Sequence, residues 1–178
     1  METPSDLAQH QRILLGLIRA NYQVGRADPP YFHQVAASPD LQEARGNIFL
    51  WRVYVLERTC VLTMALLRQR GLLEPALESF IRSQNVSPFR EYQPLAFLAS
   101  LGAHRDSLVV SVSQFELALM RVRDGDPHSY EVTWETDPHI VLHSLAQDQA
   151  LQQPYPGGIW QTRIAAGLPH LFEITRTT

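Results

Sequence analysis

The chain has 178 residues, 45% of them hydrophobic and 19% charged, which excludes an intrinsically disordered chain and fits one ordinary domain or two small ones. Its net charge of −3, with histidine neutral, excludes an overall basic field of the kind that gathers nucleic acid. All 15 cationic side chains are arginine, and the single cysteine, Cys60, excludes a disulfide framework or a cysteine metal cluster within one chain.

The opening METPSDLAQHQ lacks a basic segment followed by an apolar one, so no secretory signal is expected and a cytoplasmic location is the default. Residues 5–22 keep helical spacing through Leu7, Leu14, Leu15, Ile18 and Tyr22, behind a Ser5 cap. The stretch GRADPPYFHQVAASPD then reads as a loop with at most one short turn. Residues 47–71, NIFLWRVYVLERTCVLTMALLRQRG, read as one long helix closed by Gly71 as a left-handed cap. Arg52, Glu57 and Arg58 in its first half exclude a membrane span, since each charge costs about 2.5–3.5 kcal/mol at a bilayer centre. At 100° per residue, Arg52, Thr59, Thr63 and Arg70 form one polar stripe, and Glu57, Arg58, Arg68 and Gln69 form another roughly opposite. The apolar flanks between them, including Leu62 and Leu66, predict a central bundle helix packed on two sides, with Cys60 as a small core hydrophobe.

LLEPALESFIRSQN predicts a third helix with Pro75 in its first turn. SPFREYQPLAFLASLG predicts a fourth from a Ser87 cap to Gly102. DSLVVSVSQFELALMRVRDG predicts a fifth, from Asp106 as cap to Gly125 beyond its end, because Leu108, Val112, Phe115, Leu119 and Val122 repeat at helical intervals. After Gly125 the pattern changes. HSYEVTWE alternates Tyr130, Val132 and Trp134 against Glu131, Thr133 and Glu135, a half-buried strand. PHIVLHSL is compatible with strand or helix, GGIWQTRI and HLFEITRT are strand candidates, and residues 154–158, PYPGG, form a turn cluster. The expected fold is therefore α+β, with a helical bundle over residues 1–125 and a small antiparallel β-rich block over residues 126–178.

Catalytic signatures are absent from the sequence: there is no GxSxG, P-loop, GxGxxG or CxxC. His139 and His143 have the spacing of a helical zinc pair, but no HExxH joins them and no third ligand is evident, so no metal site is assigned. Glu116 lies beside apolar positions of the fifth helix and is expected to be a structural partner of Arg52 or Arg58. The chain by itself is expected not to be an enzyme.

The succession WRVYVLERTCVLTMALL, LEPALESFIRSQNVSPFREYQPLAFLASL and FELALMRVRDGD resembles a bacterial helical-domain family described as DNA-binding. Joined to the β-rich block, residues 47–176 are more similar to the MbnC-like partner subunits of methanobactin biosynthesis, with the related TglI-like partners second. That resemblance implies a heterodimer with a TIM-barrel oxidase that holds a multinuclear iron site and oxidises cysteine in a ribosomally made precursor peptide. It places the iron in the partner and no cofactor in this chain, and it implies that the β-rich block holds the peptide's leader by strand addition. A helical DNA-binding regulator is the alternative, with nucleic acid disfavoured by the charge and no membrane partner expected.

A small sheet with a short edge strand suits an extended peptide on physical grounds as well. Residues 170–176 are the chosen edge because they are terminal. The peptide-binding candidates are Trp134, Phe172 and Ile174 as apolar contacts, Arg163 and Arg176 as partners for acidic leader residues, and His170 at the start of the strand.

Overall fold

The computed structural model describes residues 4–83, 91–151 and 157–177. The fold is α+β: helices α1 (Pro4–Ile18), α2 (Pro30–Ala37), α3 (Pro39–Thr59), α4 (Val61–Gln69), α5 (Leu73–Ser83), α6 (Gln93–Ser100) and α7 (Ser107–Arg123) precede a small antiparallel sheet. Its strands are β1 (Tyr130–Thr136), β2 (Gly157–Ile164) and β3 (Phe172–Thr177), paired in that order, with helix α8 (Pro138–Ala146) between β1 and β2.

The local signals of the second half are realised as expected. Asp106 caps α7 by accepting from the Leu108 N–H at 3.0 Å, and Gly125 follows its end at φ +94°. Asp137 likewise caps α8, accepting from His139 N–H, which settles the ambiguous PHIVLHSL segment as helix. In β1, Val132 and Trp134 are buried while Glu131, Thr133 and Glu135 are exposed.

The first half departs from the expectations. Ala20 adopts φ 55° and α1 ends at Ile18, so Tyr22 lies outside the helix; α1 begins at Pro4, one residue before the expected Ser5 cap. Its buried face is Ile13 and Leu17, against Phe32 and Leu41, whereas Leu7, Leu15 and Ile18 are exposed. The expected loop contains α2, started by Pro30, and Ser38 then accepts from Asp40 N–H to start α3 eight residues before the sequence placed it. The expected Ser87 start of the fourth helix lies outside the described residues; α6 begins at Gln93 and ends at Ser100, short of Gly102. Residues 152–156 likewise include most of the predicted PYPGG turn, and Gly157 and Gly158 already belong to β2.

The long helix is two helices. Cys60, at φ −108° and ψ 52°, separates α3 from α4, because the chain bends there and starts a new helix on a borrowed cap. Gly71 ends α4 at φ +66°, with Leu72 N–H donating back to the Leu67 carbonyl at 2.8 Å, so that part of the expectation stands. The inferred polar stripes do not: Arg52 and Thr63 are buried, while Leu50, Trp51 and Tyr54 face outward. A bend between residues 59 and 61 breaks any helical phase carried across it.

One buried core runs through both blocks, from Leu56, Met64 and Leu66 through Phe97, Val112 and Phe115 to Val132, Trp134, Val141 and Ile164. A smaller cluster joins α1, α2 and the start of α3. The junction between helix and sheet is tied twice. Asp126 accepts from His128 N–H at 2.9 Å and from the Tyr130 hydroxyl, and Arg121 stacks over the Tyr130 ring. Gln69 donates to the Gln149 carbonyl at 2.9 Å and accepts from Leu151 N–H at 3.1 Å. No helix among the described residues is long and apolar enough to cross a membrane.

Candidate functional site

The sheet has two edges, and they are unlike. Ala165 N–H donates to the Leu171 carbonyl at 2.9 Å, one step beyond the β2–β3 register that pairs Ile164 with Phe172 and Thr162 with Ile174. Antiparallel pairs alternate between hydrogen-bonded and non-bonded positions, so Arg163–Glu173 and Gln161–Thr175 carry the ladder. The backbone N–H and C=O groups of Phe172, Ile174 and Arg176 therefore point to the outer side of β3.

The same alternation continued across β2 turns the backbone groups of Glu131 and Thr133 outward from β1, up to the register shift between Trp134 and Thr136. There Ser111 of α7 donates its hydroxyl to the Thr133 carbonyl at 2.8 Å, and Ser107 donates to the Glu135 side chain at 2.8 Å. Helix α7 thus shields the β1 edge. Among the described residues no hydrogen bond reaches the outward groups of β3.

The sequence-based candidates fall into distinct places. Phe172 and Ile174 are half-buried on the core face, and Phe172 meets Phe115 edge-on with ring centroids 5.2 Å apart. Arg176, opposite Trp160, lies over that indole at 5.5 Å, which fixes a cation beside the edge. His139 of α8 meets the same Trp160 ring edge-on at 6.4 Å. Arg163 belongs to the central strand and the outer face, where it donates to Glu173 at 3.4 Å and to the Ser129 hydroxyl at 3.3 Å. Glu173 and Thr175 are exposed on that polar face.

Two candidates change role. Trp134 is 1% exposed and packs against Phe115 at 5.9 Å, so it is core and closed to a peptide. Alternation alone puts it on the apolar face, but the overlying α7 decides that this face is sealed at residue 134. His170 is not in the strand: with φ 57° it belongs to the left-handed turn Pro169–Leu171 that leads into β3.

Glu116 also changes role. Its carboxylate accepts from Leu62 N–H at 2.8 Å and Thr63 N–H at 2.9 Å, capping α4 rather than pairing with Arg52 or Arg58. Burial raises its pKa, while the hydrogen bonds from Thr63 and Leu62 oppose that rise. Cys60 beside this junction is fully buried, and its thiol pKa is pushed up by burial, then by the Glu116 charge. Among the described residues no group of three or more His, Cys, Asp or Glu side chains is placed to hold a metal ion.

A second surface, not expected from the sequence, lies on α3. On α3, Leu50, Trp51 and Tyr54 are 65%, 52% and 47% exposed. The Trp51 and Tyr54 rings stack at 5.8 Å and Arg58 lies over Tyr54 at 4.8 Å, an ordered aromatic–arginine stripe. Tryptophan, tyrosine and arginine are the residues that dominate protein–protein hot spots. The i, i+4, i+8 spacing of Leu50, Tyr54 and Arg58 is its available signal, and the same spacing also fits a packed flank of the expected bundle helix.

No family model, curated protein or solved structure matches this chain.

Proposed function

We propose that this chain is a non-catalytic accessory subunit that binds an extended segment of a ribosomally made precursor peptide along the outer edge of β3. In this reading its partner is a TIM-barrel multinuclear iron oxidase, which modifies the peptide's cysteine, with methanobactin-type chemistry favoured by the sequence resemblance. The observation that carries the proposal is the set of outward N–H and C=O groups on Phe172, Ile174 and Arg176, at the edge that α7 does not shield. Main-chain pairing supplies affinity in such a complex, and the side chains alternating along the strand supply selectivity. Arg176 is held beside the edge for an acidic residue of the leader, and Ile174 and Phe172 offer apolar contact on the same face. The exposed Leu50–Trp51–Tyr54–Arg58 stripe is the surface assigned to the oxidase.

The test is co-expression with a TIM-barrel oxidase of this class, followed by affinity purification and fluorescence anisotropy with a labelled leader. A stoichiometric complex that binds the leader saturably is the expected result. Failure of the barrel to co-purify, or leader affinity that is unchanged when this subunit is left out, overturns the proposal.

A further inference from the structure

The outward face of α3 is spaced alike from either end, with opposite charges at its two ends. Along it lie Glu43, Asn47, Leu50, Trp51, Tyr54 and Arg58, all exposed and all within one helix, Pro39–Thr59. At 100° per residue they span an arc of about 100°, the width of one helix-packing stripe. Leu50, 65% exposed, is the most exposed large hydrophobic side chain among the described residues. Trp51 and Tyr54 are already stacked, so little side-chain freedom is lost when the stripe is covered.

The spacing is symmetric about the midpoint between Leu50 and Trp51. Asn47 and Tyr54 lie three residues beyond that central pair, and Glu43 and Arg58 lie seven beyond it. The end charges have no counter-ion in the chain. Among the described residues the Glu43 side chain has no ion pair, and Arg58 lies over Tyr54 while its neighbour Glu57 pairs with Arg68 at 3.1 Å. A two-fold contact matches residue i with j and j with i. Two antiparallel copies of α3 therefore bring each Glu43 to Arg58 of the other copy and each Asn47 amide to a Tyr54 hydroxyl. Parallel copies would set Glu43 on Glu43 and Arg58 on Arg58, so the charges select the antiparallel pair. At 1.5 Å per residue the charged ends lie about 11 Å from the axis. At the common crossing of about 20° the helices diverge there by roughly 4 Å, within the reach of an arginine.

We propose that this chain pairs with a second copy of itself through antiparallel α3 helices, about a two-fold axis between Leu50 and Trp51, with Glu43 of each copy bound to Arg58 of the other. A foreign partner requires no such internal symmetry; a second copy does. Each chain keeps its own closed core, and a single helix pair covers less than the roughly 1,200 Å² of a standard stable interface, so the dimer is reversible, with a dissociation constant on the order of micromolar. The pairing does not depend on the peptide or the oxidase. It uses the stripe assigned to the oxidase, so the homodimer and that complex exclude one another.

Sedimentation equilibrium of the full chain without oxidase, over about 2–200 μM to bracket a micromolar constant, tests the pairing. A monomer–dimer equilibrium is expected, weakened by salt, which screens exposed charges. Glu43→Arg turns both end contacts into arginine on arginine, and Arg58→Glu turns both into glutamate on glutamate, so each is expected to weaken the dimer at least tenfold. The double variant Glu43→Arg, Arg58→Glu restores both ion pairs and is expected to dimerise within threefold of the original chain. Both positions are exposed, and circular dichroism checks that each variant is folded. A chain that stays monomeric throughout, a dimer insensitive to either single reversal, or a double variant as weak as the single ones overturns the proposal. None of these outcomes bears on the oxidase assignment, whose own failure is read from co-purification.

Discussion

Glu116 on α7 accepts the backbone N–H of Thr63 at 2.9 Å, 53 residues away in sequence, and so serves as the N-cap that α4 lacks in its own sequence. The second carboxylate oxygen takes Leu62 N–H, so one side chain satisfies two of the donors a helix start leaves unpaired. Glu116→Ala leaves both donors without their acceptor and is expected to cost about 2–4 kcal/mol. Glu116→Gln keeps one acceptor and removes a buried charge, so its expected cost at neutral pH is below about 1 kcal/mol. Urea titrations of the two variants check the order; equal costs would show that the charge, not the cap, holds the junction.

Acid and base sensitivities are expected to arise from two different carboxylates. Asp126 is held down to about 2 from 3.8, chiefly by the Tyr130 hydroxyl and then by His128. A depressed carboxylate adds stability above its unfolded value, so that contribution is lost as pH falls from 3.8 toward 2. Glu116 is raised, chiefly by burial, so its contribution is fully present below 4.5 and lost as pH rises through its folded value. Denaturant midpoints followed against pH should therefore show an acid limb flattened by Asp126→Asn and an opposite limb flattened by Glu116→Gln.

Leu66 is fully buried in α4, whereas Leu62 is half-buried beside the Glu116 cap. Leu66→Ala is expected to cost about 2–5 kcal/mol through the lost contacts and the cavity left behind. Leu62→Ala should cost less than half as much. Chemical denaturation of both, with unchanged m-values, is the measurement; a near-neutral Leu66→Ala would contradict the packing of α4 on α7.

The phase of the β3 ladder makes proline a directional probe. Ile174→Pro removes an outward N–H and leaves the bonds to β2 intact, whereas Thr175→Pro removes a donor opposite Gln161. Ile174→Pro is expected to weaken leader binding at least tenfold with little change in circular dichroism, and Thr175→Pro to destabilise the sheet itself. Anisotropy with a labelled leader decides this, and unchanged affinity in Ile174→Pro rules out β3 as the receiving strand.

Trp51 and Tyr54 are stacked yet exposed, so truncating them removes little from the folded chain. Trp51→Ala is expected to change stability by no more than about 0.5 kcal/mol while weakening the oxidase complex by roughly 2 kcal/mol, about 30-fold. Surface plasmon resonance against the oxidase, beside a thermal melt, separates the two effects. An unaltered dissociation constant would remove this stripe from the interface.

What the sequence determined was local. The Asp106 cap, the glycines at 71 and 125, the helical period of α7 and the alternation of β1 each depend on a few neighbouring residues, and each is found where the pattern placed it. The α+β class followed from the same signals, because a change of period after Gly125 is visible without knowing any contact. Residues 47–71 show where that reasoning stopped. Cys60 has no feature that ends a helix, and the bend there is stabilised by Glu116 on a helix 53 residues further along. Exposure was also decided outside the local window: Trp51 and Trp134 are equally apolar, yet α7 closes over Trp134 while Trp51 stays 52% exposed. The candidate edge divides the same way. The apolar alternation of Phe172, Ile174 and their neighbours was legible, but strand order made β3 an edge, and Ser111 shielded its rival β1. Periodicity records which faces a segment can bury; the partners that bury them are fixed by long-range packing, which no local window of sequence contains.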